Sequence, residues 1–183
     1  MVAAEIPETA PSTSRLTTTQ KETRVTIVIG YDGSEGARGA IEYAGQYFSG
    51  RDAIVVTAFE DWPPAVHGDT VQIDDAARAK AEATAEDGAA LARQAGINAE
   101  PRTVYAAEKA WQSIIDVADD LDAGLIVVGS HGFNGLRPLV LGSVSHQLAH
   151  HAHQPVIAVP TPDAVAARRE QKKSGSKEHT HTH

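Results

Sequence analysis

Five short runs rich in β-branched and apolar residues (25–30, 53–59, 98–105, 125–128 and 156–159) alternate with four stretches whose apolar residues recur at helical spacing. That alternation is the strongest constraint on the fold. Two parallel strands need a crossover of a dozen or more residues, usually a helix, so repeated strand–helix–strand units imply a parallel sheet covered by helices. Val25 to Gly30, Ala53 to Phe59, Leu125 to Val128 and Val156 to Val159 are compact and apolar, as strands buried on both faces must be. Asn98 to Tyr105 carries Glu100, Pro101 and Arg102. It reads as an edge strand, where a proline costs no ladder bond.

The helices show their ends. Ser34 is a good cap for the first, whose Ala40, Ile41, Ala44 and Phe48 share a face before Gly50 ends it. A long Ala-rich helix runs from about Asp74 to Ala95 and stops at Gly96. Trp111, Ile114, Ile115, Ala118 and Leu121 form the stripe of the third, with the tryptophan read as core packing. Val144, Leu148 and Ala152 mark the fourth, closed by Pro155. Five strands and four helices in this order predict an α/β fold: a doubly wound, open parallel five-stranded sheet, Rossmann-like, with helices on both faces. Ligands of such sheets sit outside the carboxyl ends of the strands, where the winding reverses.

At 183 residues and 42% hydrophobic, the chain has room for one such domain. Residues 1–24 are rich in Thr, Ser, Pro and Glu, and residues 162–183 are strongly hydrophilic; neither stretch has a core face. The expected organisation is a disordered tail over 1–24, a folded domain over 25–161, and a disordered or weakly helical tail over 162–183, in which Ala164 to Lys173 suits a short helix. Sixteen Lys+Arg against 24 Asp+Glu give a net charge of -8, with no basic stripe and no interleaved aromatics, so nucleic acid is not an expected partner. Cysteine is absent, which removes disulfides and thiolate metal sites. No signal-type N-terminus and no membrane-spanning apolar run can be read, and the expectation is a soluble, cytoplasmic protein without a membrane partner.

The stretch from Leu125 to Ser145, L-I-V-V-G-S-H-G-F-N-G-L-R-P-L-V-L-G-S-V-S, carries the chemistry. A strand stops at Gly129, a glycine-spaced loop follows, and a helix opens at about Ser143. Glycines permit close backbone approach, and a helix start presents N–H groups without helical acceptors, which together suit a phosphate. The spacing of Gly129, Gly132, Gly142 and Ser143 resembles the nucleotide loop of the ATP-binding universal stress proteins. So do the strand running into Asp32 (V-T-I-V-I-G-Y-D-G-S-E) and the last strand (Q-P-V-I-A-V-P), and the resemblance covers about Val25 to Thr161. It implies the strand order 3-2-1-4-5 and ATP with Mg²⁺ as ligand. It places the phosphates on Gly129, Gly132, Gly142, Ser143, Val144 and Ser145, the ribose or base near Asp32, and adenine on the backbone of Ala58. It also implies a homodimer through the last strand and an unidentified regulatory protein partner. Electrostatics agree about Asp32: a bare carboxylate repels a triphosphate, so ribose hydroxyls are its better partners. The plainer alternative makes Asp32 and Gly33 a simple turn.

Other candidates carry less. Arg137 can pair with phosphate oxygens or stay solvated, Phe133 and Asn134 read as loop surface, and His131 receives no catalytic role. His146, His150 and His153 fall on one face of the fourth helix, read as a solvated polar face rather than a metal site. The terminal His179, His181 and His183 are read as tail. No Walker loop and no G-x-G-x-x-G follows a strand, and no nucleophile–base–acid set surrounds the glycine loop. The expectation is therefore a nucleotide sensor rather than an enzyme, with a slow ATP hydrolase or phosphoryl-transfer enzyme in the same pocket as the alternative. A phospho-receiver is disfavoured, because the third strand runs into T-V-Y-A-A-E without an acceptor aspartate. The chain departs from the resemblance at Gly30, at Gly124, and at Tyr105-Ala106-Ala107, where relatives carry Gly-Asp or Gly-Asn.

Overall fold

The structure, a computed structural model, describes residues 26–59, 70–106, 109–132 and 141–178. Strands β1 (Ile27–Gly30), β2 (Asp52–Phe59), β3 (Asn98–Tyr105), β4 (Leu125–Gly129) and β5 (Val156–Val159) form one sheet in the order β3-β2-β1-β4-β5. Every pairing is parallel, with Gly30 opposite Val56 and Ile29 opposite Val127. Helices α1 (Glu35–Phe48), α2 (Thr70–Gln94), α3 (Ala110–Asp120), α4 (Ser143–His151) and α5 (Pro162–Glu178) follow the strands in turn.

Because strand side chains alternate, the sheet has two cores. On one face Ile27, Ile29, Val55 and Val127 meet Ala37, Ala40, Ile41 and Ala44 of α1 and Ala89 and Ala92 of α2. On the other Val28, Val56, Ile126 and Val128 meet Ile114, Ile115 and Ala118 of α3 and Leu148 of α4. Each such fully buried Ile, Leu or Val contributes about 1.5–3 kcal/mol of transfer free energy. β3, the mixed strand with Pro101, is an edge, and β5 is the other.

The helix ends follow local chemistry. Ser34 caps α1, its Oγ accepting the Ala37 N–H at 3.2 Å, and Gly50 leaves in the left-handed region at φ 77. α2 lies on the sheet through a small-residue face, and Gly88 is essential there: a Cβ would stand 2.5 Å from the Tyr31 ring. This helix begins at Thr70, earlier than the Asp74 read from sequence. α4 ends at His151, so His153 leaves the helix instead of joining His146 and His150 on one face. Its ring nitrogen lies 3.0 Å from Asp119 Oδ2, and Gln154 donates to the same carboxylate at 2.7 Å. The C-terminal stretch is helical over more than Ala164 to Lys173: Pro162 pre-sets the first turn, and Thr161 Oγ1 accepts the Ala164 N–H at 3.3 Å. The reading of residues 1–24 lies outside the described residues.

The winding reverses between β1 and β4, since the chain leaves β1 for the α1–α2 face and enters β4 from α3. The carboxyl ends of these two strands, with that of β2, frame the candidate site.

Candidate functional site

Beyond Gly30 the chain runs Tyr31-Asp32-Gly33-Ser34 into α1. Gly33 takes φ 84, a left-handed conformation that turns the chain over the sheet edge. Asp32 Oδ1 accepts the Ser34 N–H at 3.0 Å, while the side chain stays exposed. Its second oxygen faces the loop after β4: a Cβ on Gly132 would lie 2.6 Å from Asp32 Oδ2. Gly132 thus lets the two strand ends meet, and it is not among the described glycines with positive φ, so the carboxylate is what excludes a side chain there. Gly129 serves packing. Its Cβ would come 2.4 Å from Gly36 C and 2.9 Å from Ala37 N, so the end of β4 is the seat of the first turn of α1.

The start of α4 differs in kind. Gly142 is its N-cap, with φ -61 and ψ 158 and no side-chain oxygen to offer. Ser143, where the sequence places the opening of the helix, is its first residue and is exposed. The first helical bond runs from the His146 N–H to the Gly142 carbonyl at 2.9 Å. The N–H groups of Ser143, Val144 and Ser145 therefore have no acceptor within the helix and carry the positive end of its dipole. Val144 packs its side chain against the α3 core and offers main chain only. The Ser145 hydroxyl is buried and lies 3.0 Å from both the Ser130 and the Gly142 carbonyls. Its proton holds the loop together, which leaves the Ser145 N–H as its group for an anion.

Ser130 fastens this loop to the sheet. Its N–H donates to Val159 of β5 and its carbonyl accepts from the Gly142 N–H, both at 2.7 Å. The Ser130 hydroxyl lies 2.8 Å from Nδ1 of His131, a buried ring beside Gly132.

Ala58 reaches the site through its backbone. Tyr31 donates its N–H to the Val56 carbonyl at 2.9 Å, so the polar groups of Val56 face β1. By the two-residue period of a strand, the N–H and C=O of Ala58 face the same way, past the last residue of β1. An adjacent donor and acceptor on one edge match the edge of a nucleobase. Tyr31 is held from the far side: its hydroxyl donates to Asp87 Oδ2 at 2.7 Å, and Arg38 lies 3.5 Å from the same oxygen. Burial, then the Asp87 carboxylate, pushes the Tyr31 phenol up to about 12.

Asp32, Gly132 and Ala58 with the α4 start thus lie around one end of the sheet. Arg137, Phe133, Asn134 and the tail histidines lie outside the described residues. Thr57 and Ser130 were not singled out in the sequence, although a lone hydroxyl inside V-V-T-A-F signals a buried group that must find an acceptor. Among the described residues no three His, Cys, Asp or Glu side chains converge. No helix among them is long and apolar enough to cross a membrane.

A doubly wound parallel sheet with a glycine-bearing loop at its switch point defines a class of open α/β folds whose ligands bind outside the carboxyl ends of the strands. The profile of the universal stress protein family matches residues 24–160, and the chain belongs to that family. It is 28% identical over 156 residues to a universal stress protein of Mycolicibacterium smegmatis, a match covering 80% of this chain and 52% of that protein. The chain spans about half the length of the curated relatives it matches. Among solved structures it resembles a universal stress protein in complex with cAMP, with a TM-score of 0.58, 26% identity, and 75% of this chain and 97% of the other covered. It also shares the fold of an Archaeoglobus fulgidus universal stress protein in complex with dAMP, with a TM-score of 0.53, 24% identity, and 74% and 97% covered.

Proposed function

We propose that this chain binds ATP with Mg²⁺ at the switch point and acts as a homodimeric nucleotide sensor in the cytoplasm, its bound state altering contact with a regulatory protein partner. The observation that carries the reading is the start of α4, where a glycine cap leaves three N–H groups without side-chain competition beside Asp32 and Gly132. Phosphates on Ser143, Val144 and Ser145 satisfy those donors. Ribose hydroxyls suit the exposed Asp32, and the Ala58 backbone suits adenine. The similarity to a relative crystallised with cAMP supports an adenine nucleotide. Mg²⁺ would take its oxygens from the phosphates and water, neutralising charge that otherwise repels Asp32. Sensing is favoured over turnover because the groups gathered here bind and orient, and phosphoryl transfer requires a positioned nucleophile with matched charge stabilisation.

The dimer rests on β5. It is an edge strand whose four residues Val156–Val159 are all half-buried in the single chain, and an unpaired apolar edge is satisfied by its twin across a two-fold axis.

Titration calorimetry of ATP–Mg²⁺ into the purified protein tests the ligand. Binding is expected with a Kd on the order of micromolar, about -8 kcal/mol; absence of heat up to millimolar ATP contradicts the proposal. Sedimentation at tens of micromolar should give a dimer mass, and a monomer mass contradicts the β5 interface.

A further inference from the structure

In a parallel ladder a residue donates its N–H to one strand position and accepts, at its C=O, from the position two further on. Tyr31 donates to the Val56 carbonyl, so the regular partner of the Tyr31 carbonyl is the Ala58 N–H. That carbonyl instead accepts the Thr57 hydroxyl at 2.8 Å, in a buried contact. Thr57 cannot bring its own backbone to the task, because its N–H and C=O face β3, like those of Phe59, whose carbonyl accepts from Ala106. Its side chain does so from the α1–α2 face of the sheet.

We infer that Thr57 is the positioning residue of the base and ribose subsites: its hydroxyl takes the carbonyl that would otherwise consume the Ala58 N–H, and so keeps that donor for a nucleobase. This rests on the reading of the crevice as an adenine nucleotide site. The same bond holds the Tyr31–Asp32 peptide, since the Tyr31 carbonyl and the Asp32 N–H belong to one planar unit. The Tyr31 side chain anchors the same peptide on that face, its ring against Gly88 and its hydroxyl on Asp87. One hydroxyl therefore sets both the donor that meets the base and the direction in which Asp32 leaves the sheet. Adenine presents a ring-nitrogen acceptor and an amino donor to the Ala58 pair. Hypoxanthine presents the reverse and is rejected, because a buried donor facing a donor is left unpaired.

The test uses the full chain with Thr57→Val, which keeps the β-branched shape, and Thr57→Ser, which keeps the hydroxyl. In nucleotide-free protein, the Ala58 amide should exchange with solvent readily in the parent and in Thr57→Ser, and become protected in Thr57→Val as it takes the Tyr31 carbonyl. With nucleotide, Thr57→Val should lower ATP affinity by about tenfold while leaving ITP affinity within about threefold, and Thr57→Ser should restore the preference for ATP. A merely structural residue would weaken both ligands equally. Equal amide protection in parent and Thr57→Val overturns the inference whether or not ATP binds, as does an unchanged ATP-to-ITP ratio. An exchange result as expected, with no ATP binding by the parent, refutes the nucleotide reading alone and leaves the Thr57 arrangement standing.

Discussion

Two helices begin at the same end of this sheet, and they finish their first turns differently. α1 is closed by its own chain: Ser34 Oγ accepts the Ala37 N–H, Asp32 accepts the Ser34 N–H, and Gly129 packs against the Gly36–Ala37 backbone. α4 is capped by Gly142, which has no side-chain oxygen to accept with, and the buried hydroxyl near its start, Ser145, is turned back to the Ser130 carbonyl. Both starts carry the same partial positive charge. The chain uses that of α1 for stability, and in the proposed function that of α4 is left for a ligand. On that proposal an anion site is made by withholding a cap, and a helix start next to a glycine loop suggests one only when the cap is checked.

Changes that confuse the two roles should separate them experimentally. The largest effect is expected from Gly129→Val, which drives a branched side chain into the backbone of Gly36 and Ala37. The first turn of α1 must move, at a cost of about 3 kcal/mol, read as a lowered denaturation midpoint. Gly142→Asp makes α4 resemble α1. Its φ of -61 suits any residue, and a Cβ would come 3.1 Å from the Ser130 carbonyl, a displacement of a few tenths of an ångström. Stability should change by less than about 1 kcal/mol. ATP affinity should fall by about tenfold or more, measured by calorimetry, because a carboxylate now occupies the phosphate position. Ser34→Ala is the converse: the fold loses about 1 kcal/mol of capping and nucleotide affinity stays the same.

The smallest effect concerns the anchor behind Asp32 and shows only at high pH. The Tyr31 phenol, at about 12 in the fold against an ordinary 10.0, keeps its proton after the unfolded chain has lost its own. Its contribution is fully present below pH 10, and stability declines as pH rises from 10 toward 12. Tyr31→Phe should remove that part of the decline in a pH series of denaturation midpoints.

Most of the sheet was legible because buried parallel strands concentrate β-branched residues. Asn98–Tyr105 and Val156–Val159 have the bounds read from sequence, and the strand order follows the resemblance. Helix ends were less legible. Thr70 to Ile73 contains two β-branched apolar residues and lacks a helical stripe, so the sequence placed the start of this helix at Asp74, four residues late. His153 looked helical by spacing, yet the helix stops at His151 and the bond to Asp119 holds His153 elsewhere. In the site, the glycine spacing located the loop but could not distinguish its members. Gly129 seats α1, Gly132 makes room for Asp32, and Gly142 withholds a cap, three purposes that one pattern cannot tell apart. Thr57 escaped notice because its acceptor is a carbonyl 26 positions away in sequence, a contact that only the register creates.

The most direct test follows backbone amides by ¹H–¹⁵N NMR as ATP–Mg²⁺ is titrated. The largest shifts are expected at Ser143, Val144 and Ser145, with a second set at Ala58 and Asp32, saturating on the order of micromolar nucleotide. Shifts centred on Gly36 and Ala37 at the start of α1, or none up to millimolar ATP, would contradict the assignment of the phosphate site to the uncapped helix.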